Sequence, residues 1–211
     1  LRSLFVAMFL LLFAFVAMCS SSVSLNHWME DFSDLLAPLT LWDISLPGAH
    51  DSMTATLSNV VADNANDLPS FLSALLHNVL DPNSVDAKWL RNQSVTQVLN
   101  MTQLLQNGVR FIDFRIVWTK GPDGSFNWFC LHMMQTRVSA MELLRELKSF
   151  LDAQPQEVVF LWITRHSDSC AGFDGSTIVE QQALFSQIQH LFGGVVFDHG
   201  RQRLNETTFS G

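Results

Sequence analysis

The sequence predicts an α/β fold, on three observations. Short runs rich in β-branched and aromatic residues alternate with stretches of helical periodicity. The helical stretches open on Ser or Thr capping boxes and close at Gly or Pro. The strand-like runs end on polar residues, two histidines and an arginine among them. At 211 residues, 48% hydrophobic and 15% charged, the chain has length for one domain with a buried core.

Residues 1–22, LRSLFVAMFLLLFAFVAMCSSS, carry one basic residue and an unbroken apolar run from Leu4 to Met18, then small residues. That run is short of the roughly 20 residues of a bilayer span and suits a secretory signal cleaved near Cys19 to Ser22. An uncleaved membrane anchor is the alternative. Position 1 is Leu, so the chain is expected to be a fragment at this end.

Residues 39–47, LTLWDISLP, read as a buried strand closed by the turn Pro47-Gly48. Residues 55–90 mix Asn, Asp and Ser with fragments such as FLSALLHNVL and read as a long excursion with one or two short helices. Ser94-Val-Thr-Gln97 has capping-box spacing and predicts a helix that Asn107-Gly108 closes. VRFIDFRIVW (109–118) predicts the second strand, Gly121-Pro-Asp-Gly124 a turn, and FNWFCLH (126–132) the third strand. Ser139-Ala-Met-Glu142 caps a helix whose Met141, Leu144, Leu147 and Leu151 share a face until Pro155. EVVFLWIT (157–164) predicts a strand buried on both faces, as parallel strands are. Thr177-Ile-Val-Glu180 caps a last helix ended by Gly193-Gly194, with VVF opening a further strand.

This order stops without closing. A complete (β/α)8 barrel takes roughly 250 residues, so residues 23–211 are read as a TIM-type barrel truncated to roughly its first half. The net charge of −8 argues against a nucleic-acid partner, which calls for a basic face, and no polybasic patch is present to hold anionic membranes. An anionic substrate must then be met by a few local positive groups. Sequons at Asn92, Asn100 and Asn205 are glycosylation candidates in a secretory pathway. Beyond residue 22, Cys130 and Cys170 either pair in an oxidising compartment or remain as two buried thiols.

The polar candidates fall at the carboxyl ends of the strands, where βα loops of parallel sheets converge. His50 and Asp51 follow the first strand, Arg115 lies toward the end of the second, and His132 ends the third. Two imidazoles and a guanidinium in one mouth suit phosphodiester chemistry. One histidine deprotonates an attacking hydroxyl, the other protonates the leaving oxygen, and the guanidinium neutralises charge on the non-bridging oxygens. Asp51 and Asp113 are placed to fix imidazole tautomers or hold the guanidinium. His77, His166, His190 and His199 are read as structural.

DISLPGAHDSMT resembles the opening signature of the phosphatidylinositol-specific phospholipase C X domain, LLQNGVRFIDFRI its second signature, and LLRELKSFLDAQPQEVVFLWIT its helix, proline and Glu-Val-Val strand. FNWFCLHMM stands where that family has its second histidine. The resemblance runs in order from about residue 40 to 165 and implies a TIM-type barrel. It also implies His50 as the base that takes the inositol 2-hydroxyl proton and His132 as the acid for the diacylglycerol oxygen, with Asp51 as its partner. Arg115 would bind the phosphate, with Asp113 beside it. An arginine on the second strand and an aspartate after His50 resemble the metal-independent subgroup, which implies no cofactor and no calcium. The family usually has glycine where Met133 follows His132, and the acid that orients the first histidine comes from a late strand.

The expected activity is therefore phospholipase C-like cleavage of an inositol phospholipid through a cyclic phosphodiester, at a transiently contacted membrane, by a secreted or lumen-facing protein. A non-catalytic X-domain binding module and a metal-dependent glycerophosphodiester-type phosphodiesterase are the alternatives.

Overall fold

The computed structural model describes residues 24–62, 80–165, 176–195 and 208–209. Its centre is a six-stranded mixed sheet: β1 (Gly48–Ala49), β2 (Leu57–Val61), β3 (Phe111–Lys120), β4 (Phe126–His132), β5 (Met134–Ser139) and β6 (Phe160–Arg165). The order is β1-β3-β4-β5-β2, with β6 also on β3. β1 and β6 both run parallel to β3 and both pair with Phe111 and Ile112, so they occupy its two edges. Beyond Ile116, β3 continues as one arm of an antiparallel hairpin with β4, and β5 and β2 extend that arm antiparallel.

Alternation along the strands separates two faces. Ile112, Phe114 and Ile116 of β3 enter the main core with Val159, Leu161 and Ile163 around β6. The helices that cover this face are α4 (Met101–Gln106), α5 (Ala140–Ala153) and α6 (Ile178–Phe192), which all give residues to that core, whereas α3 (Val85–Ser94) packs Leu90 on the second cluster, with Leu57, Val61, Val117 and Leu131, on the other face. Two short turns of helix, α1 (Trp28–Asp31) and α2 (Ser33–Leu36), precede them. The Ser139–Glu142 and Thr177–Glu180 capping boxes form as expected at α5 and α6. On α5, Leu143, Leu144 and Leu147 are buried, each stabilising by about 1.5–3 kcal/mol.

Several local expectations are corrected. Residues 39–47 form no strand: Asp43 Oδ2 accepts from Thr40 N and Oγ1, bending Leu41–Asp43 into a 3-10 turn. The first strand is Gly48–Ala49 itself. Pro47 O accepts from Arg110 N and Phe111 N, and Gly48 follows because an added Cβ would lie 3.3 Å from Phe111 Cβ. The excursion after residue 55 contains a strand, β2, whose Leu57 and Val61 are buried against β5 while its middle positions are only half-buried.

Ser94 does not open a helix; it is the last residue of α3, with its Oγ on Leu90 O. The N–H groups of Thr96 and Gln97 are taken by Thr54 Oγ1, and the capping box forms at Asn100 with Gln103 instead. No apolar alternation marks β5, whose buried residues include Gln135 and Thr136. They are tolerated inside because Gln135 Nε2 donates to Lys120 O, and Thr136 Oγ1 accepts from Cys130 N and donates to Val138 O.

The strand at 157–164 starts only at Phe160, and it is not buried on both faces: Trp162 is 53% exposed. Glu157 lies before it and pairs with Arg110 at 2.6 Å, both side chains fully buried. Arg110 also donates to Leu105 O, Val109 O, Leu25 O and Asn26 O and lies over the Phe150 ring, fastening residues 25–26 to the base of the sheet. Gly193–Val195 is a 3-10 turn; residues 196–200, the signal region 1–22 and Asn205 lie outside the described residues, as does Cys170. Cys130 is a free, buried thiol in the main core.

Candidate active site

Three elements bring five polar side chains to one end of the parallel strands. β1 ends at Ala49, and His50 and Asp51 follow. Asp51 takes a left-handed backbone, φ 48°, and its N–H donates to Asp113 Oδ2 while Ser52 N donates to Asp113 O. Asp113 and Arg115 alternate with core residues on β3 and so share the face opposite α4, α5 and α6.

His132 reaches the same place by another route than the one expected. β4 is not a parallel barrel strand but the return arm of the β3–β4 hairpin, in register with Ile116 opposite Cys130. Two residues further, the chain is back at the level of Asp113 and Arg115. The carboxyl end of the third strand is thus at the mouth, with the strand running the other way.

Asp51 is the centre of the group. Its side chain is 2% exposed, and a buried carboxylate needs compensating charge. Arg115 Nε lies 2.9 Å from Asp51 Oδ1, an ion pair whose angles fall short of a hydrogen bond. His50 Nε2 lies 3.2 Å and His132 Nε2 3.7 Å from Asp51 Oδ2. Asp113 Oδ2 lies 3.0 Å from His50 Nδ1 and 3.2 Å from Arg115 Nη2. His50 is the open member, its side chain 69% exposed.

Asp51 is shared among Arg115 and both histidines, because the left-handed turn at Asp51 tucks its carboxylate beneath them. His50 meets two carboxylates supplied by this chain.

His132 is held from the other side. Its Nδ1 lies 2.8 Å from Ser94 O, and a carbonyl only accepts, so Nδ1 carries the proton and Nε2 faces Asp51. Ser94 O belongs to the last turn of α3, where helix carbonyls lack internal partners and the dipole favours a cation. Gln97 Nε2 donates to His50 O. Sequence reading missed both supports: a main-chain carbonyl has no side-chain signature, and Gln97 matched a capping box that does not form.

Below the polar group the same face is apolar. Leu41, Ile44, Leu46, Phe111, Phe160 and Trp162 line a cavity of about 980 Å³ that His50, Asp113 and Arg115 border. One atom from each of His50, Asp51 and Asp113 lies within 4.8 Å of the others, a donor set that could hold a metal ion. The Arg115 guanidinium already contacts both carboxylates.

No family model matches the chain. It is 34% identical over 176 residues to PI-PLC X domain-containing protein 1 of Mus musculus, covering 82% of this chain and 47% of that protein. For the Homo sapiens protein of the same description the identity is 31% over 179 residues, 81% of this chain and 50% of the relative. The chain thus spans about half the length of the curated relatives it matches. A solved mutant of the phosphatidylinositol-specific phospholipase C from Staphylococcus aureus superposes with a TM-score of 0.55 at 20% identity, over 89% of this chain and 50% of that one. A second structure of that enzyme, from work on its membrane binding, gives 0.52 at 19% identity over 88% of this chain and 49% of that one. At such identities the likeness is one of fold.

Proposed function

The curated homologues of this chain are PI-PLC X domain-containing proteins, and from that premise we propose that it carries the two-histidine half-site of a phospholipase C-like phosphodiesterase. One observation supports this best: His50 and His132 flank the buried Asp51, with Arg115 against both Asp51 and Asp113.

In this reading His50, the exposed imidazole, accepts the proton of the inositol 2-hydroxyl as that oxygen bonds to phosphorus. The phosphorus–oxygen bond to diacylglycerol breaks, and Nε2–H of the His132 imidazolium gives its proton to the leaving oxygen. The products are a cyclic inositol phosphodiester and diacylglycerol; water acting with the histidines in exchanged roles opens the ring. Both nitrogens of His132 meet negative charge, full or partial, which suits a cationic acid. Arg115 supplies fixed positive charge to the non-bridging oxygens, while Asp51 and Asp113 hold it and His50 in place. The two aspartates and the arginine sum to −1, so a protonated His132 brings the site to neutral before an anionic phosphodiester enters.

The apolar face of Phe111, Phe160 and Trp162 is, in this reading, the inside of a TIM-type barrel that residues beyond this chain complete. The protein travels the secretory route with residues 1–22 as signal, is glycosylated at Asn92, Asn100 and Asn205, and meets its phospholipid at a membrane surface. Among the described residues, no helix is long and apolar enough to cross a membrane. The cluster of His50, Asp51 and Asp113 favours metal-dependent phosphodiester cleavage as the second reading.

The deciding measurement is phosphatidylinositol cleavage by the full-length protein. His50→Ala and His132→Ala should each lower turnover by about 10²–10⁴-fold, with activity kept in chelator. Intact turnover in His50→Ala overturns the assignment; loss in chelator restored by calcium overturns the metal-free mechanism in favour of the second reading.

A further inference from the structure

Among the described residues, the non-glycine positions with positive φ are Asp51, at 48°, and Met133, at 60°. Each directly follows one of the two histidines. Left-handed backbone is uncommon outside glycine and is less penalised for Asp than for a residue such as Met. Strained backbone persists where the surroundings over-determine it, and such places cluster at functional sites.

At Met133 the surroundings can be named. This residue alone joins β4 to β5, and His132 faces Met134 across it. Both arms are anchored. Cys130 and Leu131 are buried on β4, and Met134, Gln135 and Thr136 are buried on β5. Leu131 and Met134 pack in one cluster with Leu57, Val61 and Phe129. With both flanks fixed, the reversal falls on one pair of dihedrals. Met133 pays that conformational cost, and His132 leaves the strand at the angle that sets Nδ1 against Ser94 O and Nε2 toward Asp51.

We infer that Met133 is a positioning residue whose left-handed backbone, rather than its side chain, aims His132 as the proton donor. The inference rests on the proposed function for the meaning of that aim; the aim itself is independent of it. Met133→Gly accepts the same φ with no Cβ. Met133→Val cannot without becoming an outlier, because a β-branched residue at this φ is a severe one.

The test compares these two variants with wild type in the full-length protein. Nitrogen-15 NMR of His132 reads the tautomer, and phosphatidylinositol turnover reads the chemistry. Wild type and Met133→Gly should show neutral His132 protonated at Nδ1, and Met133→Val should show that signature lost. The kcat of Met133→Val should lie at least about tenfold below that of Met133→Gly, with KM within about threefold and the acid-requiring limb of the pH profile displaced. Equal loss in both variants overturns the inference, since the side chain would then be what matters. An unchanged tautomer in Met133→Val overturns it too. Should Met133→Val not fold, Met133→Gly decides: loss of the Nδ1–H signature there refutes the inference. A wild type without turnover overturns the catalytic reading, and the tautomer comparison still decides the role of Met133.

Discussion

Replacing Glu157 by Gln removes one charge from a fully buried ion pair and keeps the side chain's shape. Arg110 has no exposed surface; its Nε lies 2.7 Å and its Nη2 2.6 Å from Glu157 Oε2. Burial pulls the Arg110 guanidinium below its ordinary range and Glu157 opposes this by hydrogen bonding and charge, so the arginine stays cationic at any ordinary pH. Glu157 has a second task, since its Oε1 accepts from Glu30 N at 3.0 Å. A glutamine has one acceptor oxygen for the two tasks.

Leaving a buried charge uncompensated costs about 3–5 kcal/mol. The carbonyls of Leu105, Val109, Leu25 and Asn26 still solvate the guanidinium, which puts the expectation at the lower end, about 3 kcal/mol. At roughly 2–4 °C per kcal/mol for a chain of this size, Tm should fall by about 6–12 °C. Urea unfolding followed by tryptophan fluorescence measures it, with Trp28 a reporter because its Nε1 donates to Gly108 O beside Arg110. The m-value should stay constant. A loss below about 1 kcal/mol refutes the reasoning. So does a double variant Arg110→Met with Glu157→Leu that is no more stable than either single, since removing both charges together should recover most of the loss.

Arg115→Lys keeps the charge but replaces a fork that meets Asp51 Oδ1 and Asp113 Oδ2 by a single point; kcat/KM on phosphatidylinositol should fall by about 10²-fold, and retention of a third or more of the activity would contradict the phosphate-binding role. The Cys130 thiol is pushed well up by burial, so it should resist a thiol reagent at pH 7 until the protein unfolds, and rapid labelling of the native state would refute its place in the core. Because that shift is upward, the stability it contributes is complete below about pH 9 and is lost as pH rises beyond, so denaturation midpoints should fall between pH 8 and pH 11 more in wild type than in Cys130→Ala.

The sequence by itself determined the strand at β3 and β4, the capping boxes of α5 and α6, and the five polar residues that the fold gathers at one mouth. Each is a local signal: side-chain oxygens three residues from an acid that reaches back, β-branched and aromatic runs, or a histidine beside a strand end. It misplaced β1, missed β2 and β5, and took Ser94 for a helix start. Those outcomes depend on partners far along the chain, such as Thr54 claiming the N–H groups of Thr96 and Gln97, or Gln135 and Thr136 finding buried hydrogen bonds. Only the tertiary structure decided that Asp51 is shared among Arg115 and both histidines, that Ser94 O holds His132, and that Met133 turns left-handed to let it. A carbonyl, a dihedral angle and a shared carboxylate have no letter in the sequence; they follow from the register of β4 against β3, which long-range pairing sets.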